Sequence, residues 1–199
     1  MPDLKLKFAR HQLGTSLALF LVNDDPVSVH VLACSAGEVL RGICKHEGKE
    51  NSFNQLVRES EIIDDNNLHK IMNQSYNSFK HYFERDYATP RQDDETLQKF
   101  SDTHNEGILY AAWHDYSLIT EALPIEAQVF QLWMLLKERM IRGNKKWTTI
   151  IPSINKLAYL QISREEMKKN MRDVIAAAKL HEALLNEPNT ERQPLILGL

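Results

Sequence analysis

"NDDPVSVHVLACSAGEVLRGICKHEGKE", residues 23–50, decides how the chain folds. Asp25 stands where a helix N-cap belongs, and Pro26 takes the first helical position, where a missing N–H is harmless. Val27, Val31, Leu32, Val39, Leu40 and Ile43 recur as apolar positions through 26–46, and "HEGKE" closes the segment. Upstream, Leu6, Leu13, Leu17, Phe20 and Leu21 mark residues 4–22 as an amphipathic helix, with steps of three, four and seven. A link as tight as "NDDP" makes the two helices antiparallel neighbours.

The remaining chain keeps the helical period. A short helix is expected at 52–60, and a clearer one at 66–84, with Asn66 as its cap and Leu68, Met72, Phe79 and Phe83 along one side. "RDYATPRQDD" reads as a polar loop between helices. Residues 94–121 are expected as one long helix bent near Gly107. Pro124 then opens another, carrying Ile125, Val129, Leu132, Trp133, Leu136 and Met140 on a core face. After "RGNKKW", residues 148–161 are ambiguous between helix and irregular structure. Ser163 with Glu166 spells a capping box for a last helix reaching about Leu185. No alternating strand pattern is present. The expected fold is an all-α, single-domain bundle of about six to seven helices over 1–187. A tail, 188–199, is left extended, docked on its own domain or docked on a partner.

Composition excludes several classes of function. The 199 residues are 43% hydrophobic, enough for one core, and 27 acidic against 24 basic side chains leave a net charge of −3. That balance lacks the basic excess of a protein that coats nucleic acid. Cys34 and Cys44 lie about 15 Å apart along a helix and cannot pair there, so buried free thiols are expected. The apolar run "LALFLV" is too short for a signal peptide or a membrane span. The expected setting is therefore cytoplasmic, without membrane.

Phosphate loops, Cys-x-x-Cys pairs, His-Glu-x-x-His and the Glu-x-x-His of di-iron bundles are all missing, so neither cofactor nor metal is expected. Three polar constellations remain. His30, Cys34, Gly37 and Arg41 share a stripe with Glu38 beside it, which reads first as hydrogen-bonded groups at a helix interface. On a helix, Asn77, His81 and Glu84 would lie together, with Lys80 adjoining and Asp86 just beyond; this is either a tuned histidine site or a polar helix end. Lys137, Arg139, Arg142, Lys145 and Lys146, followed by Trp147, form a basic patch able to hold phosphates with an indole for stacking.

"DPVSVHVLACSAGEVLRG" together with "NSFKHYFERD" resembles a group of uncharacterised bacterial and phage-associated helical proteins with Asp-Pro-x-Ser-x-His and Asn-x-x-Lys-His elements. The matching residues are Asp25, Pro26, Ser28, His30, Glu38 and Arg41, then Asn77, Phe79, Lys80, His81 and Asp86. More distantly the chain is similar to HEPN domains, helical bundles that often dimerise and, in active members, cut RNA with an Arg-x4–6-His motif. Arg41 and His46 have that spacing, although glycine follows Arg41 and the helix comes early. The resemblance implies a homodimeric binding or regulatory module connected to RNA or nucleotides. One alternative is a metal-independent endoribonuclease, with His46 as acid or base and Arg41 on the phosphorane, or His81 and Lys80 in those roles. The other is a pocket for a small anionic ligand built from His30, Arg41, Asn77, Lys80 and His81.

Overall fold

The computed structural model describes residues 3–59, 65–142 and 162–196. Nine helices stand among them: α1 (Asp3–Leu21), α2 (Pro26–His46), α3 (Ser52–Glu59), α4 (Asp65–Lys80), α5 (Asp94–Gln98), α6 (His104–Thr120), α7 (Ile125–Arg142), α8 (Arg164–Lys179) and α9 (Glu182–Leu185). The fold is all-α. Among the described residues there is no strand, only the isolated bridges Phe83–Pro90 and Leu123–Thr190. The ambiguous stretch 148–161 lies outside the described residues.

Asp25 caps α2 through its carboxylate, which accepts from the Val27 and Ser28 amides at 3.1 Å each. The Ser28 hydroxyl, first among these donors, holds that carboxyl below its ordinary value. α2 then packs along both α1 and α6. Of the apolar positions expected from the sequence, Leu40 and Ile43 are buried, Val31 and Val39 pack partly buried against the core and Val27 is exposed; Val29, His30, Ala33, Cys34, Ala36, Gly37 and Cys44 complete the buried face. Small residues let two helices approach α2 closely, so the stripe through His30, Cys34 and Gly37 faces the core. Both cysteines are free and buried, and burial pushes their thiols up, Cys34 to about 12 and Cys44 to about 11. By length and composition α2 would also suffice to cross a membrane; here it is the central helix of the bundle.

The core runs through Leu13, Leu17 and Phe20 of α1, Leu109 and Trp113 of α6, Phe130 and Trp133 of α7, and Met171 and Ile175 of α8. Phe20 meets Phe130 edge to face at 5.6 Å. The long helix expected over 94–121 is two, broken at 99–103 rather than bent at Gly107. Ser101, Asp102 and Thr103 supply the break: the Ser101 amide donates to His104 Nδ1 and the His104 amide to the Ser101 carbonyl. Such local side-chain bonds compete with helix continuation. Ser163 caps α8 as expected, the Glu166 amide donating to Ser163 Oγ at 3.1 Å, but α8 stops at Lys179.

The tail folds back onto its own bundle. Arg10 of α1 is 2% exposed and donates Nε to Glu191 (3.0 Å), Nη1 to the Leu195 carbonyl (2.8 Å) and Nη2 to the Pro194 carbonyl (3.1 Å). Tyr116 Oη donates to the same Glu191 at 3.1 Å. Gly14 permits this docking, because a Cβ there would lie 1.9 Å from the Leu195 carbonyl oxygen.

Candidate functional site

α2 presents Glu38, Arg41, Gly42 and Lys45 at steps of three and four, on one face. The chain reverses at Gly48, whose φ of +68° suits glycine. Asn51 then starts α3 by accepting from the Phe53 and Asn54 amides at 3.0 Å each. With Asn54 of α3 and Asn73 of α4, these residues enclose a polar cleft of about 470 Å³.

Arg41 is the main charge of this cleft. Its guanidinium lies 4.1 Å from the Phe53 ring centroid and folds back over Gly37, where a Cβ would come within 3.0 Å of Nη1. Glycine inside a helix costs up to about 1 kcal/mol relative to alanine; here it provides the berth for the arginine. Burial draws Arg41 below its ordinary value, against the opposing charges of Asp115 and Glu38, and it remains a cation at neutral pH. Among the described residues no hydrogen bond or salt bridge takes up its donors. Behind Asn51, the Ser52 amide donates to Oδ1 of the buried Asp115 at 2.6 Å, while Asp115 Oδ2 and Ser52 Oγ have no hydrogen-bond partner among the described residues. Burial raises the Asp115 carboxyl above the usual carboxylate range, opposed by the Ser52 amide and the Arg41 charge. A fixed guanidinium, an exposed ammonium from Lys45, asparagine amides and the Glu38 carboxylate together suit a phosphate- or carboxylate-bearing molecule that also carries hydroxyl or amino donors.

The other expected site residues separate into distinct surroundings. His30 is 2% exposed and pairs Nδ1 with Asn105 Oδ1 at 2.9 Å, packed edge-on against Phe100 (5.1 Å) and Phe79 (6.0 Å). Burial lowers its pKa, despite the Asn105 bond. It sits about 16 Å along α2 from Arg41. Asn77, Lys80 and His81 are exposed at the end of α4, Lys80 with its ammonium 5.0 Å from the Tyr76 ring. The five residues expected to share a pocket therefore stand in different surroundings, and Phe79, next to Lys80 in sequence, is the side chain that meets His30. Glu84 lies beyond α4, which ends at Lys80, so it does not share a helix face with Asn77 and His81. His46 is exposed and lines a neighbouring cleft of about 750 Å³ with Lys5, Val39 and Ile43. The step from Arg41 to His46 turns about 140° around the helix, which separates the two residues of the HEPN-type spacing. Of the basic patch, Lys137 is ion-paired to Glu106; the side chains of Arg139 and Arg142, and residues Lys145, Lys146 and Trp147, lie outside the described residues.

A second charged group was not singled out from the sequence. Asp102, in the turn before α6, accepts from Arg164 Nη2 at 2.5 Å and Lys168 Nζ at 2.7 Å. Lys168, 1% exposed, also donates to Asn23 at 3.0 Å, and Glu106 bridges Arg164 and Lys137. One signal was available: Arg164 and Lys168 are cations in the first turns of α8, against the helix dipole and one turn apart. Such a placement calls for acids from elsewhere. Among the described residues no three His, Cys, Asp or Glu side chains gather to hold a metal ion. Comparison with family models, curated proteins and solved structures found no significant match.

Proposed function

We propose that the protein is a binding or regulatory module that holds a small anion of the mononucleotide kind in the cleft of Glu38, Arg41, Lys45, Asn51, Asn54 and Asn73. The observation that carries the reading is Arg41, a partly buried guanidinium held by Gly37 and Phe53 with its donors unspent. A phosphate would take those donors in the paired geometry that guanidinium favours. Lys45 adds charge, and the asparagine amides would receive the rest of the ligand. A HEPN-type architecture, a homodimer and a cytoplasmic setting belong to the same proposal and rest on the sequence resemblance. Ribonuclease activity rests on that resemblance alone, since Arg41 and His46 line neighbouring clefts. RNA left uncut by a dimeric preparation removes it.

The test is thermal unfolding of the full chain with AMP, ADP, ATP or inorganic phosphate. Ligand at about 100 times Kd raises stability by about 2.7 kcal/mol. Wild type is expected to shift with at least one of these, and Arg41→Lys to lose the shift while keeping its own melting temperature within a few degrees. Absence of any shift, or an equal shift in the variant, overturns the proposal.

A further inference from the structure

Residues 81–91, "HYFERDYATPR", leave α4 and form a closed hairpin. The Glu84 amide donates to the Thr89 carbonyl at 2.8 Å, the Arg91 amide to the Tyr82 carbonyl at 3.0 Å, and Phe83 bridges Pro90. Asp86 pins the tip, accepting from the Ala88 and Thr89 amides at 3.0 Å each and from Thr89 Oγ1 at 2.6 Å. The Thr89 hydroxyl, foremost among these donors, holds the Asp86 carboxyl down to about 2. Tyr87 sits at φ +57°, a conformation that bulky residues rarely adopt. The purpose of this pinned loop does not lie in the core: Tyr82 is 74%, Phe83 42% and Tyr87 85% exposed. Tyr82 and Phe83 stand edge to face at 4.9 Å.

Charge decides what such rings would meet. The acids of the hairpin are already engaged, Glu84 by Arg91 at 3.6 Å and Asp86 by its own turn, and Arg91 also donates to Asp93 at 2.7 Å. Lys80, His81 and Arg85 have no acidic partner among the described residues. Both carboxylates of the loop meet the loop's own donors, while Lys80, Arg85 and the aromatic rings face water. That pairing complements a polyanion with unstacked planar groups, since cations follow phosphates and rings stack on bases. A duplex keeps its bases stacked on each other and offers these rings nothing.

We propose that the 81–91 hairpin is a stacking platform for single-stranded nucleic acid, Tyr82 and Tyr87 taking bases and Lys80 and Arg85 taking phosphates. This surface is separate from the Arg41 cleft, and its evidence is independent of the ligand proposed there.

The experiment is fluorescence anisotropy of the full chain with labelled single strands of about 12 nucleotides, RNA and DNA in separate arms, and a duplex of equal length. Single strands are expected to bind and to weaken as salt rises from about 50 to 200 mM. Tyr87→Ala and Tyr82→Ala each weaken binding at least about fivefold, whereas Tyr87→Phe, which keeps the ring, binds nearly as wild type. Lys80→Ala with Arg85→Ala lowers the salt slope by about 1.4. All four positions are solvent-exposed, so melting temperatures stay near wild type and losses of binding report on the surface itself. Affinity for RNA over DNA, or the reverse, names the source. The proposal is overturned by no binding at about 100 µM protein, by duplex binding as tight as single-strand binding, or by tyrosine variants that bind normally. It is equally overturned if those variants instead abolish self-association, which makes the hairpin a protein interface.

Discussion

Two cations in this protein lie against aromatic rings at the same distance and have opposite fates. Lys168 sits 4.1 Å from the Phe20 ring centroid and Arg41 4.1 Å from that of Phe53. Lys168 has Asp102 at 2.7 Å and Asn23 at 3.0 Å; Arg41 has a cleft. Removing a cation from water is costly, and the cost is recovered only when acceptors replace the lost hydration. At Lys168 the fold supplies the acceptors. At Arg41 it supplies the Phe53 ring and the space over Gly37, with no hydrogen-bond acceptor among the described residues.

The largest effect should come from breaking the satisfied side. Asp102→Ala leaves Lys168 buried without its carboxylate, and a loss of about 3 kcal/mol is expected, read as a fall in melting temperature of about 6–12 °C. Acid titration sharpens this. Burial alone would raise the Asp102 carboxyl, but hydrogen bonds and charge from Lys168 and Arg164 outweigh it and hold the group below its ordinary value. Its contribution is therefore present above about pH 4 and disappears as pH falls through the folded-state value. Urea melts of Asp102→Asn should show a flatter acid limb than wild type; an unchanged limb contradicts the assignment.

Asp115, near Arg41, carries the opposite sign. Its carboxyl is raised by burial, so the folded chain holds that proton to higher pH than the unfolded chain does. Stability is then lost as pH climbs from about 4 through the folded-state value. Asp115→Asn keeps an acceptor for the Ser52 amide and removes the buried charge, and should gain about 1 kcal/mol at neutral pH. Denaturant melts that show a loss there would mean the carboxylate is needed by Arg41. Smallest is Arg41→Lys without ligand, expected to cost under about 1 kcal/mol because no hydrogen bond is broken. A larger cost by the same melts would place Arg41 with Lys168 as a structural cation.

Local chemistry was readable from the sequence, and partnership across the chain was not. The Asp25 cap, Pro26 and the Ser163 box each act within three residues, so the starts of α2 and α8 could be located. The buried face of α2 was legible in part: Leu40, Ile43 and the stripe through His30, Cys34 and Gly37 are inside as read, whereas Val29, Ala33 and Ala36 are added by close approach of α1 and α6. Arg41 was singled out as part of a stripe with Gly37, and the structure explains the pairing through space for the guanidinium. His30 shared that stripe, yet its partner Asn105 comes from a helix whose start the sequence pattern missed. The Asp102 cluster draws residues from four separated segments, and no spacing rule connects them.

The Arg10 clasp has a consequence for how the chain is made. Its partners Glu191, Pro194 and Leu195 lie 181 to 185 positions downstream, so the clasp cannot close until the chain has been synthesised through Leu195. A chain that stops before Glu191 lacks the carboxylate and both carbonyls that Arg10 meets, and leaves that guanidinium without its acceptors.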